Sequence, residues 1–225
     1  MPILKFQITQ KLLSTPLFLG LSRSDLKEIV GNTKFGFDKY KRGETIANVN
    51  DSCSSMLFLL DGKIEVSTTS ADHSYSITEL ISAPLQIQPE RLFGLHQVYT
   101  STFTAKTVCN TMKLHKTEVI NLYNNYQVFR INLLNNLATS VQKAEDRNWM
   151  SAHNSLRMRI VHFLTRHCLR PAGEKTIKIK MNCLAEELND SRINISKELN
   201  KMQTERLISL SRGVIHIPAL EHLYM

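Results

Sequence analysis

Residues 182 to 208, NCLAEELNDSRINISKELNKMQTERLI, leave this chain few choices of local structure. Leu184, Ala185 and Leu188 share a face at helical spacing, and Asn189-Asp190-Ser191 then offers an Asn suited to a left-handed turn and a Ser suited to capping a new helix. Ile195, Leu199 and Met202 recur at i, i+4, i+7, which predicts a second helix buried along that stripe. Its outer faces would carry Ile193, Lys197, Asn200 and Lys201, with Arg192 at the exposed N-terminal end. Two short helices meeting at an angle, the second basic on its outer side, have the build of a helix-turn-helix that reaches base edges and phosphates. A helical hairpin in some other α-rich domain would share this periodicity, and the flanks argue against it. Residues 208 to 217, ISLSRGVIHI, alternate around Arg212-Gly213 as a β-hairpin does, and Pro218 ends the strand. Thr176 to Lys180 alternates apolar and basic residues and supplies a third strand, so the segment reads as a winged helix.

The charge balance agrees with that reading. Lys and Arg number 28 against 20 Asp and Glu, and the excess is uneven: 16 against 13 up to Asn154, then 12 against 7. The smaller C-terminal part is the more basic, which suits a polyanionic partner without proving one. At 225 residues, with 42% hydrophobic content and only 8 Gly and 6 Pro, the chain has room for two modest globular domains. The start, MPILKFQITQ, lacks the apolar core and cleavage site of a secretion signal, and the longest apolar run, Met56 to Leu60, is too short for a bilayer. A cytoplasmic protein with no membrane partner is expected. Cys53, Cys109, Cys168 and Cys183 are scattered without a Cys-x-x-Cys pair, which argues against a clustered zinc site and a disulfide framework and predicts buried thiols.

Upstream, residues 35 to 115 form short alternating runs punctuated by Tyr40-Lys-Arg-Gly43, Asn50-Asp51, Asp61-Gly62, Ala71-Asp72 and Gly94. Strand-like segments fall at 45–49, 56–60, Lys63 to Thr69 and Phe103 to Cys109, a spacing that suits a β-sandwich or jelly roll. From Thr117 to Asn154 the pattern turns helical, and Ile131, Leu134, Ala138, Val141 and Glu145 recur at alternating three- and four-residue steps. That seam predicts a dimer helix, with Leu133 and Leu137 widening the stripe so that one side lies on the β-module and the other meets a second copy. An ordinary long helix packed within one subunit is the alternative. A further helix, Ser155 to Cys168, opens on a Ser cap and ends at Arg170-Pro171-Ala-Gly173.

A β-sandwich, a long helix and a winged helix-turn-helix, in that order, resemble the Crp-Fnr family of bacterial transcription regulators, over nearly the whole chain. Pro16 to Leu21 followed by Ser24-Asp-Leu26 resembles the helical lead-in of the cyclic-nucleotide-binding fold. Lys41-Arg-Gly43-Glu-Thr-Ile46, Asn50-Asp51 and Met56 through Gly62 to Val66 are similar to its strand and turn pattern. The resemblance implies an α+β chain divided at 1–125 (sensor), 126–154 (dimer helix and hinge near Asn154) and 155–225 (winged helix). It places Arg192 and Lys197 where the family reads guanine from the major groove, and Ser191 and Asn194 near phosphates and bases at the helix start. Asn182, Asn200, Lys201 and Arg212 complete the expected DNA-facing set. Ile193 stands where cyclic-AMP-responsive members carry an acidic residue, and it can pack only on something apolar such as a thymine methyl. Lys180 replaces the usual Ser or Thr that opens the first helix, so Asn182 is the candidate cap, starting that helix later.

The nucleotide cassette departs further. The family's cyclic-nucleotide binders use a Gly-Glu pair on the ribose and an Arg-Ser or Arg-Thr pair on the phosphate, and this chain has Gly94-Leu95 and Tyr99-Thr100 there. A phosphate buried without its cation costs several kcal/mol, so cyclic AMP is not expected to be the effector of that pocket. No cofactor is expected. An iron-sulfur cluster lacks N-terminal thiolates, since the first cysteine is Cys53, and haem would have only His73, His96 or His115 as axial ligand. No catalytic set emerges either, because His153, His162, Cys168 and Ser155 lie on helices whose spacing packing explains. The expected partners are double-stranded DNA, a second copy of the chain, RNA polymerase and a small-molecule effector of unknown identity. The rival reading is an interaction protein whose basic helices dock an acidic partner.

Overall fold

The computed structural model describes residues 9–13, 15–149 and 155–224. These fall into two compact units: the residues up to Ile64 with Ile81–Asp146, and Glu65–Leu80 with the described residues from Arg147 onward.

The first unit is an antiparallel β-sandwich with helices before and after it. Helix α1 (Arg23–Asn32) begins on a reciprocal cap, in which the Ser22 hydroxyl accepts from the Asp25 N–H at 3.0 Å and the Asp25 carboxylate accepts from the Ser22 N–H at 3.3 Å. In chain order the strands up to residue 115 are β1 (Phe35–Tyr40), β2 (Thr45–Ala47), β3 (Ser55–Asp61), β4 (Lys63–Thr69), β5 (Tyr75–Ser82), β6 (Leu85–Ile87), β7 (Thr102–Ala105) and β8 (Cys109–His115), of which most of β4 and β5 belongs to the second unit. One sheet runs β1-β8-β3-β6, and β2 pairs with β7. Met56, Leu57, Phe58 and Leu59 are all buried, because β3 lies between β8 and β6 and is covered on both faces. This explains a continuous apolar run where a strand with one solvated face would alternate.

Two expectations change here. Phe103 to Cys109 is not one strand: β7 ends at Ala105 and β8 starts at Cys109. The corner between them is held by the Lys63 carbonyl, which accepts from Lys106 N–H at 2.8 Å and Thr107 N–H at 3.3 Å. Gly62, at φ +99°, fits against the same corner, where a Cβ would lie 2.5 Å from the Val108 oxygen. The stretch from Thr117 is not one helix either, but α2 (Lys116–Asn125) and α3 (Gln127–Trp149), parted at an extended Tyr126. Arg130 makes the break possible by donating from Nε to the Tyr123 carbonyl at 2.9 Å and from Nη2 to that of Asn124 at 3.1 Å, so the end of α2 is capped by a guanidinium. The hinge expected near Asn154, and His153, lie outside the described residues.

Among its described side chains, helix α3 is anchored through one side. Phe129 and Leu133 are buried, the Phe129 ring lies 5.4 Å from that of Phe18, and Asn132 Nδ2 donates to the carbonyls of Leu17 and Leu19.

The second unit holds α4 (Leu156–Arg166), β9 (Lys175–Ile179), α5 (Met181–Leu188), α6 (Arg192–Thr204), β10 (Ser209–Ser211) and β11 (Val214–Ile217). Ile160 and Leu164 of α4, Leu184 of α5, Ile195, Leu199 and Met202 of α6 and Ile177 and Ile215 of the sheet form one core. The expected three strands are present in the order β10-β11-β9, and a fourth joins them from far upstream. Strand β5 pairs antiparallel with β9, from Tyr75 opposite Ile179 to Glu79 opposite Lys175. At the end of that ladder the Glu79 carboxylate and the Lys175 ammonium lie 2.8 Å apart with side chains 2% and 1% exposed. Glu79 also accepts from the N–H groups of Leu169 and Arg170, and Lys175 donates to the Ala172 carbonyl, so both buried charges are satisfied. At the other end, Tyr75 and His167 are hydrogen-bonded at 3.0 Å. The expected boundaries, 1–125, 126–154 and 155–225, therefore differ from the compact units in two respects. The hairpin residues 65–80 go with the C-terminal unit, and most of α3 goes with the sandwich.

Candidate nucleic-acid interface

Strand β9 runs straight into α5, whose first residue is Met181 and whose cap position is Lys180, without a side-chain cap. The helix does not start later on Asn182. The Leu184 N–H already donates to the Lys180 carbonyl at 3.0 Å, because the buried end of β9 at Ile179 fixes where the backbone can turn. Asn182 is thus in the first turn and exposed. Asn189 closes α5 in the left-handed region, at φ 47° and ψ 53°. Ser191 caps α6, its hydroxyl accepting from the Asn194 N–H at 3.1 Å.

With Ile195, Leu199 and Met202 fully buried, the rest of α6 faces outward. Ser191, Arg192, Ile193, Asn194, Lys197, Asn200 and Lys201 are all exposed, Ile193 by 68%. An isoleucine this open at the end of a helix contributes nothing to the fold's own core. Arg212 is exposed at the tip of the two-residue turn between β10 and β11, where Gly213 has φ +71°. Among the described residues neither Arg192 nor Lys197 has an ion-pair partner, whereas Lys201 lies 3.3 Å from Glu198. Farther along, Arg157 of α4 grips Glu205 at the end of α6 with both terminal nitrogens, at 3.1 and 2.7 Å, and this holds the Glu205 carboxyl below its ordinary range.

One participant was not foreseen. Arg159 of α4 donates from Nη1 to the Leu188 carbonyl at 2.6 Å and pairs through Nη2 with Asp190. Asp190 in turn accepts from the Ser191 N–H at 2.7 Å and from Asn194 Nδ2 at 2.9 Å. The Asn194 amide first, and then Arg159, hold the Asp190 carboxyl below its ordinary range.

The four residues of the expected effector pocket differ in their surroundings. Leu95 is 89% exposed beside an open Gly94, whereas Tyr99 is buried, its ring 6.0 Å from that of Phe103. Burial pushes both the Tyr99 hydroxyl and the nearby Cys53 thiol upward. Thr100 is tied to Gln88, donating its N–H to Oε1 at 2.9 Å and accepting from Nε2 at 2.6 Å. His73 occupies a turn with φ 58°, and His115 caps α2. Among the described residues no three His, Cys, Asp or Glu side chains group as metal ligands, and no helix is long and apolar enough to cross a membrane. On α3, Ile131, Leu134, Ala138, Val141 and Glu145 are exposed along one row.

Residues 37–126 match the model of the cyclic nucleotide-binding domain family. No curated protein matches the chain. Among solved structures, the catabolite activator protein of Thermus thermophilus aligns with 93% of this chain and 97% of its own at 19% identity and a TM-score of 0.54. A transcriptional regulator of the Crp/Fnr family from Eubacterium rectale aligns with 94% of this chain and 97% of its own at 21% identity and a TM-score of 0.52. The sensor domain of the transcriptional regulator DNR of Pseudomonas aeruginosa aligns with 68% of this chain and 99% of its own, at 16% identity and 0.54. The fold is that of a cyclic-nucleotide-binding-type β-sandwich followed by a helical C-terminal part. In fold, the chain is similar to these regulators at low identity.

Proposed function

We propose that the chain is a cytoplasmic DNA-binding transcription regulator of the Crp-Fnr type, acting as a homodimer on an inverted repeat and not through cyclic AMP. The observation that carries this reading is the outer face of α6. Arg192 and Lys197 are exposed and without an ion-pair partner among the described residues, on a helix whose opposite side is the core of its unit. A guanidinium at a helix start suits guanine O6 and N7, and Ile193 suits a thymine methyl. Arg212 at the hairpin tip suits phosphate. Two such heads would enter successive major grooves roughly 34 Å apart. Contact with RNA polymerase and an effector other than cyclic AMP belong to the same proposal, and no catalytic role is assigned. Against cyclic AMP stand an exposed Leu95 where a ribose-binding carboxylate is needed and a buried Tyr99 where a cation is needed.

Selection from random duplexes should return a two-fold symmetric site. On that site Arg192→Ala should lose about 1 to 3 kcal/mol of affinity and relax one base position per half-site, with little change on random duplex. If no site is preferred over random duplex of equal length, the interaction-protein reading stands instead.

A further inference from the structure

We infer that Arg159 is a positioning residue for base reading, holding the turn between α5 and α6 so that the first turn of α6 presents Arg192 in one orientation. This rests on the DNA-reading role proposed above. The guanidinium spans the junction: one terminal nitrogen meets the Leu188 carbonyl at the end of α5, and the other meets the Asp190 carboxylate. Asp190 passes the restraint on, since it accepts from the backbone N–H of Ser191, which caps α6, and from the side chain of Asn194 in its first turn. Asn189, the left-handed residue, lies between the two anchor points, so the backbone path through the turn is fixed on either side.

The anchor itself is firm. Ile160, Phe163 and Leu164 bury α4 in the core, and the side chains of Arg159 and Asp190 are only 30% and 16% exposed. A planar fork can serve a carbonyl and a carboxylate together, whereas an ammonium is a point charge and holds one geometry less well. No part of Arg159 needs to touch DNA for this role.

The test uses the full chain with Arg159→Met, Arg159→Lys and Asp190→Asn, each measured on the selected site and on random duplex at one salt concentration. Arg159→Met should lose about tenfold on the selected site and change by less than about twofold on random duplex. Amide exchange at Ser191–Ile195 should quicken in the same variant while the core residues of α6 keep their protection. Arg159→Lys should fall between wild type and Met. If Arg159→Met folds poorly, Asp190→Asn keeps one oxygen for Ser191 and Asn194, replaces the oxygen facing Arg159 with a donor, and should show the same loss of preference. An unchanged ratio between the two duplexes, or an equal loss on both, overturns the positioning role while leaving DNA reading intact. A wild-type protein with no sequence preference overturns both.

Discussion

Lys175→Met should destabilise the second unit by about 3 to 5 kcal/mol, the cost of leaving one member of a buried ion pair without its partner. The side chains of Glu79 and Lys175 are essentially sealed from water, and the remaining donors to Glu79 are the backbone N–H groups of Leu169 and Arg170. Those two hydrogen bonds do not neutralise the carboxylate. The loss should appear as a lowered urea midpoint and as faster amide exchange along the β5–β9 ladder, Tyr75–Glu79 and Lys175–Ile179. Glu79→Gln in the same chain keeps an acceptor for the backbone donors and removes the charge, so the double variant should recover at least half of the loss. A Lys175→Met variant within about 1 kcal/mol of wild type would mean that water reaches the pair in solution. The pair also fixes the register at the end of the β5–β9 ladder.

That fourth strand shows where reading the sequence stops. Tyr75-Ser-Ile-Thr-Glu-Leu-Ile81 places Glu79 in the same two-residue register as Ile77 and Ile81, and Lys175 shares the register of Ile177 and Ile179. Each strand therefore carries one charge on its apolar face, with opposite signs. A charge in that register is a signal that a partner exists, but nothing local says that the partner lies almost a hundred residues away. The turn at Asn189 and the cap at Ser191 were legible because their causes are local, whereas the cap expected at Asn182 was not found. Asn189 adopts the left-handed conformation and Ser191 caps the next helix, as their side chains favour. The break at Tyr126 was not legible, since no Gly or Pro marks it and the capping guanidinium of Arg130 comes from the following helix.

The candidate interface was legible to the same degree. The exposure of Ile193, Lys197, Asn200 and Lys201 was legible because a buried stripe at i, i+4, i+7 determines the opposite face of α6 by geometry alone. Arg159 was not, since its role lies in a contact between α4 and a turn thirty residues on. The effector residues have a weaker basis: Leu95 and Tyr99 rest on resemblance to a cassette whose charges this chain lacks. Tyr99 is buried beside Phe103, and the sequence around it carries no charge that marks a ligand.

Leu134→Asp should weaken self-association by at least about a hundredfold. Ile131, Leu134 and Val141 are 47%, 51% and 57% exposed along one row of α3, while Phe129 and Leu133 on the other side are buried. A helix that has already spent one apolar face on its own sandwich has no internal use for a second, and the three- and four-residue steps of the exposed row are those of a two-helix seam. In a two-fold interface the substitution occurs twice. Losing the burial of two leucines costs about 3 to 6 kcal/mol before the carboxylates are counted, and about 2.7 kcal/mol already corresponds to a hundredfold. Sedimentation at micromolar concentration measures the shift directly. On DNA the same variant should lose the full inverted repeat far more than a single half-site, because the face of α6 is untouched. A dimer that persists unchanged in Leu134→Asp would mean that the row on α3 is not where two copies meet, and the spacing of two heads would then have to be set elsewhere.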